Sequence, residues 1–198
     1  MARASFYHAM FLGAVLTALS ACSGGPPPRP EFGDIRFDGE PKLHLAVSRV
    51  EFVREYQPNL QMPHIEEKLP VPLSHVTENW VRDRLEAVGG PGRAVATVVD
   101  ASVIEIPLPT EGGISGTFTK QVDTRYEARL ALRVEIKDDH GFTVRTATAK
   151  TQRTQTTVQG ISLDERDRIL YRLETELAAD LDRQLESDIR ANFGSYLQ

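Results

Sequence analysis

The stretch Tyr126-Glu-Ala-Arg-Leu-Ala-Leu-Arg-Val-Glu-Ile-Lys137 decides how this chain folds. Its even positions, Tyr126, Ala128, Leu130, Leu132, Val134 and Ile136, are all apolar, and of its odd positions only Ala131 is uncharged. Side chains on a strand alternate between two faces, so this pattern describes a strand with one buried face and one wet face. A slip of one residue would carry five charges into the core, so the burial of this strand is firmly set. We read it as running from about Phe118 to Lys137, with the rest of the chain arranged to cover its apolar side.

Asp138-Asp139-His140-Gly141 follows as a turn, with Gly141 at the left-handed position of a three-residue hairpin loop. That geometry sets Asp138 opposite Phe142. Continued without interruption, it pairs Ile136 with Val144, Glu135 with Arg145 and Glu127 with Arg153. A hairpin turn accounts for Asp138, Asp139 and His140 without a metal ion. On this register Thr146, Thr148, Lys150, Gln152, Thr154 and Thr156 face inward along the returning strand, Phe142 to about Val158. Such a polar inner face suits an edge strand protected against aggregation, or the wall of a groove.

Before the central strand come two further β segments. Leu43 to Val53 alternates, with a phase shift near Ser48-Arg49 that reads as a bulge. Ala94 to Leu108 is rich in β-branched residues and switches phase near Val103-Ile104. Between them, Arg54 to Leu73 carries prolines at 58, 63, 70 and 72, which exclude a helix or a central strand. Its scattered apolar residues predict an extended arm packed on the domain. Ser74 is expected to cap a helix whose face is Val76, Trp80, Leu85 and Val88, ended by Gly89-Gly90-Pro91, with Trp80 in the core. Pro107 to Thr117 reads as a loop with an exposed apolar tip at Ile114.

Ser162-Leu-Asp-Glu165 is a capping box that opens the longest helix, reaching about Phe193 before Gly194. Its apolar residues, Ile169, Leu173, Leu177, Leu181, Leu185, Ile189 and Phe193, recur every four positions. Four residues turn an ideal helix by about 400°, so the stripe drifts by roughly 40° at each step. One flat sheet cannot cover all of it. The late residues Leu185, Ile189 and Phe193, together with Ile114, are therefore candidates for a surface that meets a partner, unless the 54–73 arm covers them. Asp180, Asp182, Glu186 and Asp188 are expected on a solvated face.

The N-terminus speaks about compartment. Arg3 precedes an apolar run from Phe11 to Leu19, which falls short of the roughly 20 residues a spanning helix needs and fits a secretory signal segment. Leu19-Ser20-Ala21-Cys22 closes it. This resembles the lipobox of bacterial lipoprotein precursors. The resemblance implies removal of residues 1–21, a thioether-linked diacylglycerol on Cys22 and acylation of its new amine. Three acyl chains exceed the two signals that stable anchoring takes. By the sorting rule of Gram-negative lipoproteins, Ser23 in place of Asp implies the periplasmic face of the outer membrane rather than the inner membrane. Cys22 is the only cysteine, so no intramolecular disulfide forms. Gly24, Gly25 and the prolines at 26, 27, 28 and 30 suit a tether, at about 3.1 Å per extended residue, so 22–42 reads as lipidated cysteine plus spacer and 43–198 as one periplasmic domain.

Loss of Arg3 takes the formal charge from −5 to −6. An acidic chain argues against nucleic acid and against an electrostatic grip on anionic lipid. The mature histidines, 44, 64, 75 and 140, are scattered, and no nucleotide loop, metal-ligand pair or nucleophile motif stands out. We expect no cofactor, no metal and no catalytic residue. The element order is strand, helix, strand, strand, strand, helix. That order predicts an α+β fold: a four-stranded, mainly antiparallel sheet with two helices on one face. Architecture and lipobox together resemble small envelope lipoproteins of the LptE type and the auxiliary lipoproteins of ABC-type lipid transport. The function expected from this is a membrane-anchored, non-enzymatic accessory or scaffold with an envelope protein partner. The alternatives are a carrier for a lipid or glycolipid ligand and, last, an envelope hydrolase.

Overall fold

The computed structural model describes residues 31–110 and 121–198. Cys22, the signal segment and Ile114 lie outside the described residues. The fold is α+β, with two α-helices among the described residues and a mixed sheet that is mainly antiparallel. Its hub is β6, Val122–Lys137, and all six even positions from Tyr126 to Ile136 are no more than 2% exposed.

β6 is 16 residues long and is used twice on one side. β4 (Arg93–Asp100) pairs antiparallel with its second half, and β5 (Val103–Pro107) with its first half. The segment 94–108 is thus two strands laid end to end, broken where the Asp100 carboxylate accepts the Ser102 amide at 3.0 Å. On the other side of β6 lies β7, Thr143–Val158. β2 (Val50–Arg54) joins β4 in parallel, so the main sheet has five strands, one more than expected.

The phase shift at Ser48-Arg49 marks a break between sheets rather than a bulge. β1, Leu43–Leu45, leaves the main sheet and pairs in parallel with β3, Leu85–Ala87. The first helix, α1 (Leu73–Arg84), therefore ends earlier than its apolar spacing suggests, because Leu85 onward is taken by β1. Pro72 occupies the capping position in place of Ser74. The folded part also begins earlier than residue 43: Ile35 and Phe37 are buried, and Arg36 grips Asp83 with two 2.7 Å hydrogen bonds, so 31–42 is part of the domain rather than spacer.

The hairpin register needs correction. The turn itself forms as expected, with Gly141 at φ +88° and the Asp138 amide donating to Phe142 O at 2.9 Å. Val144 then inserts as a bulge: Lys137 pairs with Thr143 but Ile136 with Arg145. Every later residue of β7 changes face. Leu132 opposes Ala149 and Val134 opposes Ala147, both alanines fully buried, while Thr146, Lys150, Gln152, Thr154 and Thr156 face solvent. Glu135 and Glu127 consequently face Thr146 and Thr154 rather than the two arginines. The small inward residues of β7 let the long helix α2, Leu163–Asn192, lie close over β7 and β6.

Ser162 caps α2 as its sequence predicts, accepting the Glu165 amide at 3.1 Å. Leu173, Leu177, Leu181, Leu185, Ile189 and Phe193 are all buried, and Ile169 is half-buried. Leu185, Ile189 and Phe193 therefore offer no surface to a partner. After Gly194 the chain turns back along β1, where the Ala46 amide donates to Tyr196 O at 2.9 Å and the Gln198 amide to His44 O at 3.0 Å. Tyr196 and Leu197 pack on the same core. The stripe drifts, but sheet, α1 and C-terminal return follow it round. The acidic face of α2 is likewise engaged: Asp180 binds Arg153, Asp188 accepts the Thr148 amide, and Asp182 holds Trp80 and Arg84.

Candidate functional site

The arm from Glu55 to Pro72 runs along the free edge of β5. The Ile65 amide donates to Val103 O at 2.9 Å, the Glu105 amide donates to Pro63 O at 2.8 Å, and His64 bridges to Ile104. Prolines keep the arm from forming a regular strand, yet it closes an edge that would otherwise be open. Ile65, Leu69 and Val71 are buried beneath it, as the apolar content of the arm predicts, whereas Leu60 and Met62 of the same arm stay exposed.

A short 3₁₀ turn at Glu66–Lys68 drops the Glu66 side chain inward, where the residue is 7% exposed. One oxygen, Oε1, accepts from three donors: Tyr56 Oη at 2.8 Å, His64 Nδ1 at 2.8 Å and the Val103 amide at 3.2 Å. The other, Oε2, is buried without a hydrogen-bond partner. Burial pushes the carboxyl toward its neutral form, but hydrogen bonds from His64, the backbone and Tyr56 outweigh it and hold Glu66 below the usual carboxylate range. The same burial, and the bond to Glu66, push the Tyr56 phenol well above its usual value.

Glu66 and Tyr56 border a cleft of about 300 Å³, walled also by Pro58, Pro72, Leu73, Val98 and Ala101. Arg54 lies at its rim, paired with Glu78 of α1. A second groove of about 390 Å³ separates the 35–40 segment from Thr175, Ala178 and Asp182 of α2, but it holds no unsatisfied buried group. The Glu66 cleft is thus the better site. It sets a fixed negative charge, its oxygens buried, behind mainly apolar walls, which suits a small and largely apolar ligand. Both the phenol and the imidazole are occupied by the carboxylate.

Of the residues singled out as a partner surface, Leu185, Ile189 and Phe193 do not line this cleft, and Ile114 lies outside the described residues. The signal for it was present in the sequence as His64-x-Glu66, a spacing that puts both side chains on one side of an extended arm. Tyr56 is ten residues away and joins them only because the arm turns back. Among the described residues no group of His, Cys, Asp and Glu is arranged to hold a metal ion, and no helix is long and apolar enough to cross a membrane.

No family model and no curated protein matches this chain. Among solved structures it is similar to a minor lipoprotein from Acinetobacter baumannii, with 12% identity and a TM-score of 0.39, over 72% of this chain and 93% of that one. It is also similar to the rare lipoprotein B from Shewanella oneidensis, with 10% identity and a TM-score of 0.40, over 71% of this chain and 95% of that one.

Proposed function

We propose that this chain is a lipid-anchored envelope lipoprotein that serves as a non-enzymatic accessory or scaffold in envelope biogenesis or lipid transport, on the periplasmic face of the outer membrane. The observation that carries this reading is Leu19-Ser20-Ala21-Cys22 followed by a short Gly/Pro segment that leads directly into a folded domain at Ile35. The domain is consistent with it. Its core is filled, and its long helix spends its apolar stripe internally. The Glu66 cleft sits at the lower limit of small-ligand sites, which favours a scaffold over a carrier of whole lipids.

The test is expression of the full chain in a Gram-negative host, with membrane fractionation and mass spectrometry of the N-terminal peptide. Wild type should carry acyl chains on Cys22 and stay with the outer membrane, and Cys22→Ala should accumulate unlipidated. Cross-linking from membranes should then return a stoichiometric envelope-assembly or transport subunit. Unmodified Cys22 would sink the anchoring, and turnover of an envelope substrate by the purified protein would sink the scaffold role.

A further inference from the structure

Exposed apolar side chains scattered singly over a surface are ordinary. Here four of them collect at one end of the domain. Leu60 is 71% exposed, Met62 60%, Val122 42% and Leu163 74%. The topology brings them together from three separate elements, the arm, β6 and α2. β6 starts at Val122, opposite Val158 at the end of β7. β5 ends there too, with Pro107 paired to Thr124, and the arm reaches the same end, because Pro63 O accepts the Glu105 amide. Leu163 opens α2, whose first turns are tied to this end by Arg166, bonded to Glu105 and to the Tyr126 hydroxyl at 3.0 Å each. The opposite end, at the β6–β7 turn, exposes Phe142.

The chain enters the domain near the same end. Phe32 packs its ring 4.9 Å from that of Tyr171, whose hydroxyl donates to Gly33 O. Tyr171 lies eight residues into α2, about 12 Å from Leu163, whereas Asn192 is about 31 Å further along. Ten residues separate Cys22 from Phe32, a span of about 31 Å at the rise of an extended proline-rich chain. The end bearing Leu163 can therefore reach a bilayer with the tether slack, while the Phe142 end reaches it only with the tether drawn out fully.

We infer that this end of the domain, with Leu60, Met62, Val122 and Leu163 at its tips, rests on the bilayer interface and so fixes how the protein stands on its membrane. The inference rests on the lipid-anchoring reading above. Asp164 and Glu165 beside Leu163 oppose attraction to anionic headgroups, so the contact is apolar and holds equally on zwitterionic lipid.

The experiment uses the full-length lipidated protein in phosphatidylcholine vesicles, with single replacements Leu60→Cys, Leu163→Cys or Phe142→Cys. Lipidation consumes the Cys22 thiol, so a fluorescent maleimide reports the introduced site alone. Vesicle flotation is measured first, then quenching by phosphatidylcholine bearing a headgroup nitroxide. Labels at 60 and 163 should lose most of their emission, and the label at 142 should keep it. Flotation with no quenching at 60 and 163, or with equal quenching at 142, would overturn the orientation and leave the anchor standing. Failure to float would overturn both.

Discussion

The guanidinium of Arg84 is wholly buried and donates from Nε to Asp182 Oδ1 at 2.8 Å, the same oxygen that Trp80 Nε1 reaches at 2.8 Å. Glu186 and the carbonyl of Pro41 take its other nitrogens. Four parts of the chain, the N-terminal segment, α1 and two turns of α2, thus meet on one cation. A buried charge is tolerable only when it is paired and fully hydrogen-bonded, and removal of one partner leaves the other stranded.

Asp182→Ala is therefore expected to destabilise the domain by about 3–5 kcal/mol, and Arg84→Met by clearly less, because the carboxylates it leaves are partly exposed and keep Trp80 at Asp182 and Arg190 at Glu186. Urea denaturation followed by Trp80 fluorescence measures both. Equal losses would show that packing, rather than the stranded charge, dominates at this site.

The end of α2 gives the second prediction. Phe193 is fully buried and lies just before the Gly194 turn that sends Tyr196 and Leu197 back along β1. Phe193→Ala should cost about 3–5 kcal/mol in the isolated, unlipidated domain. A loss below about 1 kcal/mol would mean that this core does not extend to the C-terminal return.

Strong local patterns survived the passage from sequence to structure. β6 alternates as written, Ser162 caps α2, and Gly141 turns the hairpin. What failed depends on single residues or on distant partners. The Val144 bulge adds one residue and leaves no mark in composition, yet it reverses the faces of β7. The β1–β3 pair joins segments some forty residues apart, so the shift at Ser48-Arg49 could show that something breaks there but not where the chain goes. Arg84 and Asp182 look like ordinary wet helix charges until α1 and α2 are packed together. Glu66 gathers its partners only through the path of a proline-rich arm, which no periodicity describes.

Gly92 supplies the third prediction. It sits at φ +72°, and a Cβ built on it would fall 2.1 Å from Lys137 O, where the chain enters β4 beside the end of β6. Gly92→Ala thus combines left-handed backbone strain with a backbone clash, and about 2 kcal/mol or more of stability should be lost. Gly39→Ala, where a Cβ meets nothing within 4 Å, is the control and should melt near the wild type. Matching melting temperatures for the two variants would contradict the close approach at Lys137.

Glu174 carries the last prediction. It lies on α2 beneath the arm, 1% exposed; Oε2 accepts only the Val71 amide at 3.3 Å and Oε1 has no partner. Burial, aided by nearby Asp167, pushes its pKa from 4.5 up to about 8. The folded state then keeps a proton that the unfolded chain releases above its own, lower pKa. The stabilisation from this proton is complete below about 4.5 and is lost progressively as pH rises through about 8. Glu174→Gln holds a neutral amide of the same shape at every pH. Relative to wild type it should be nearly neutral at about pH 5 and stabilising, on the order of 1–3 kcal/mol, at about pH 9. The difference between the two curves isolates Glu174, because the paired carboxylates Asp83, Asp180 and Glu186, all held below their usual range, contribute equally to both. Denaturant midpoints at the two pH values decide it. A constant difference would mean that Glu174 is ionised in the fold throughout, with water reaching it under the arm.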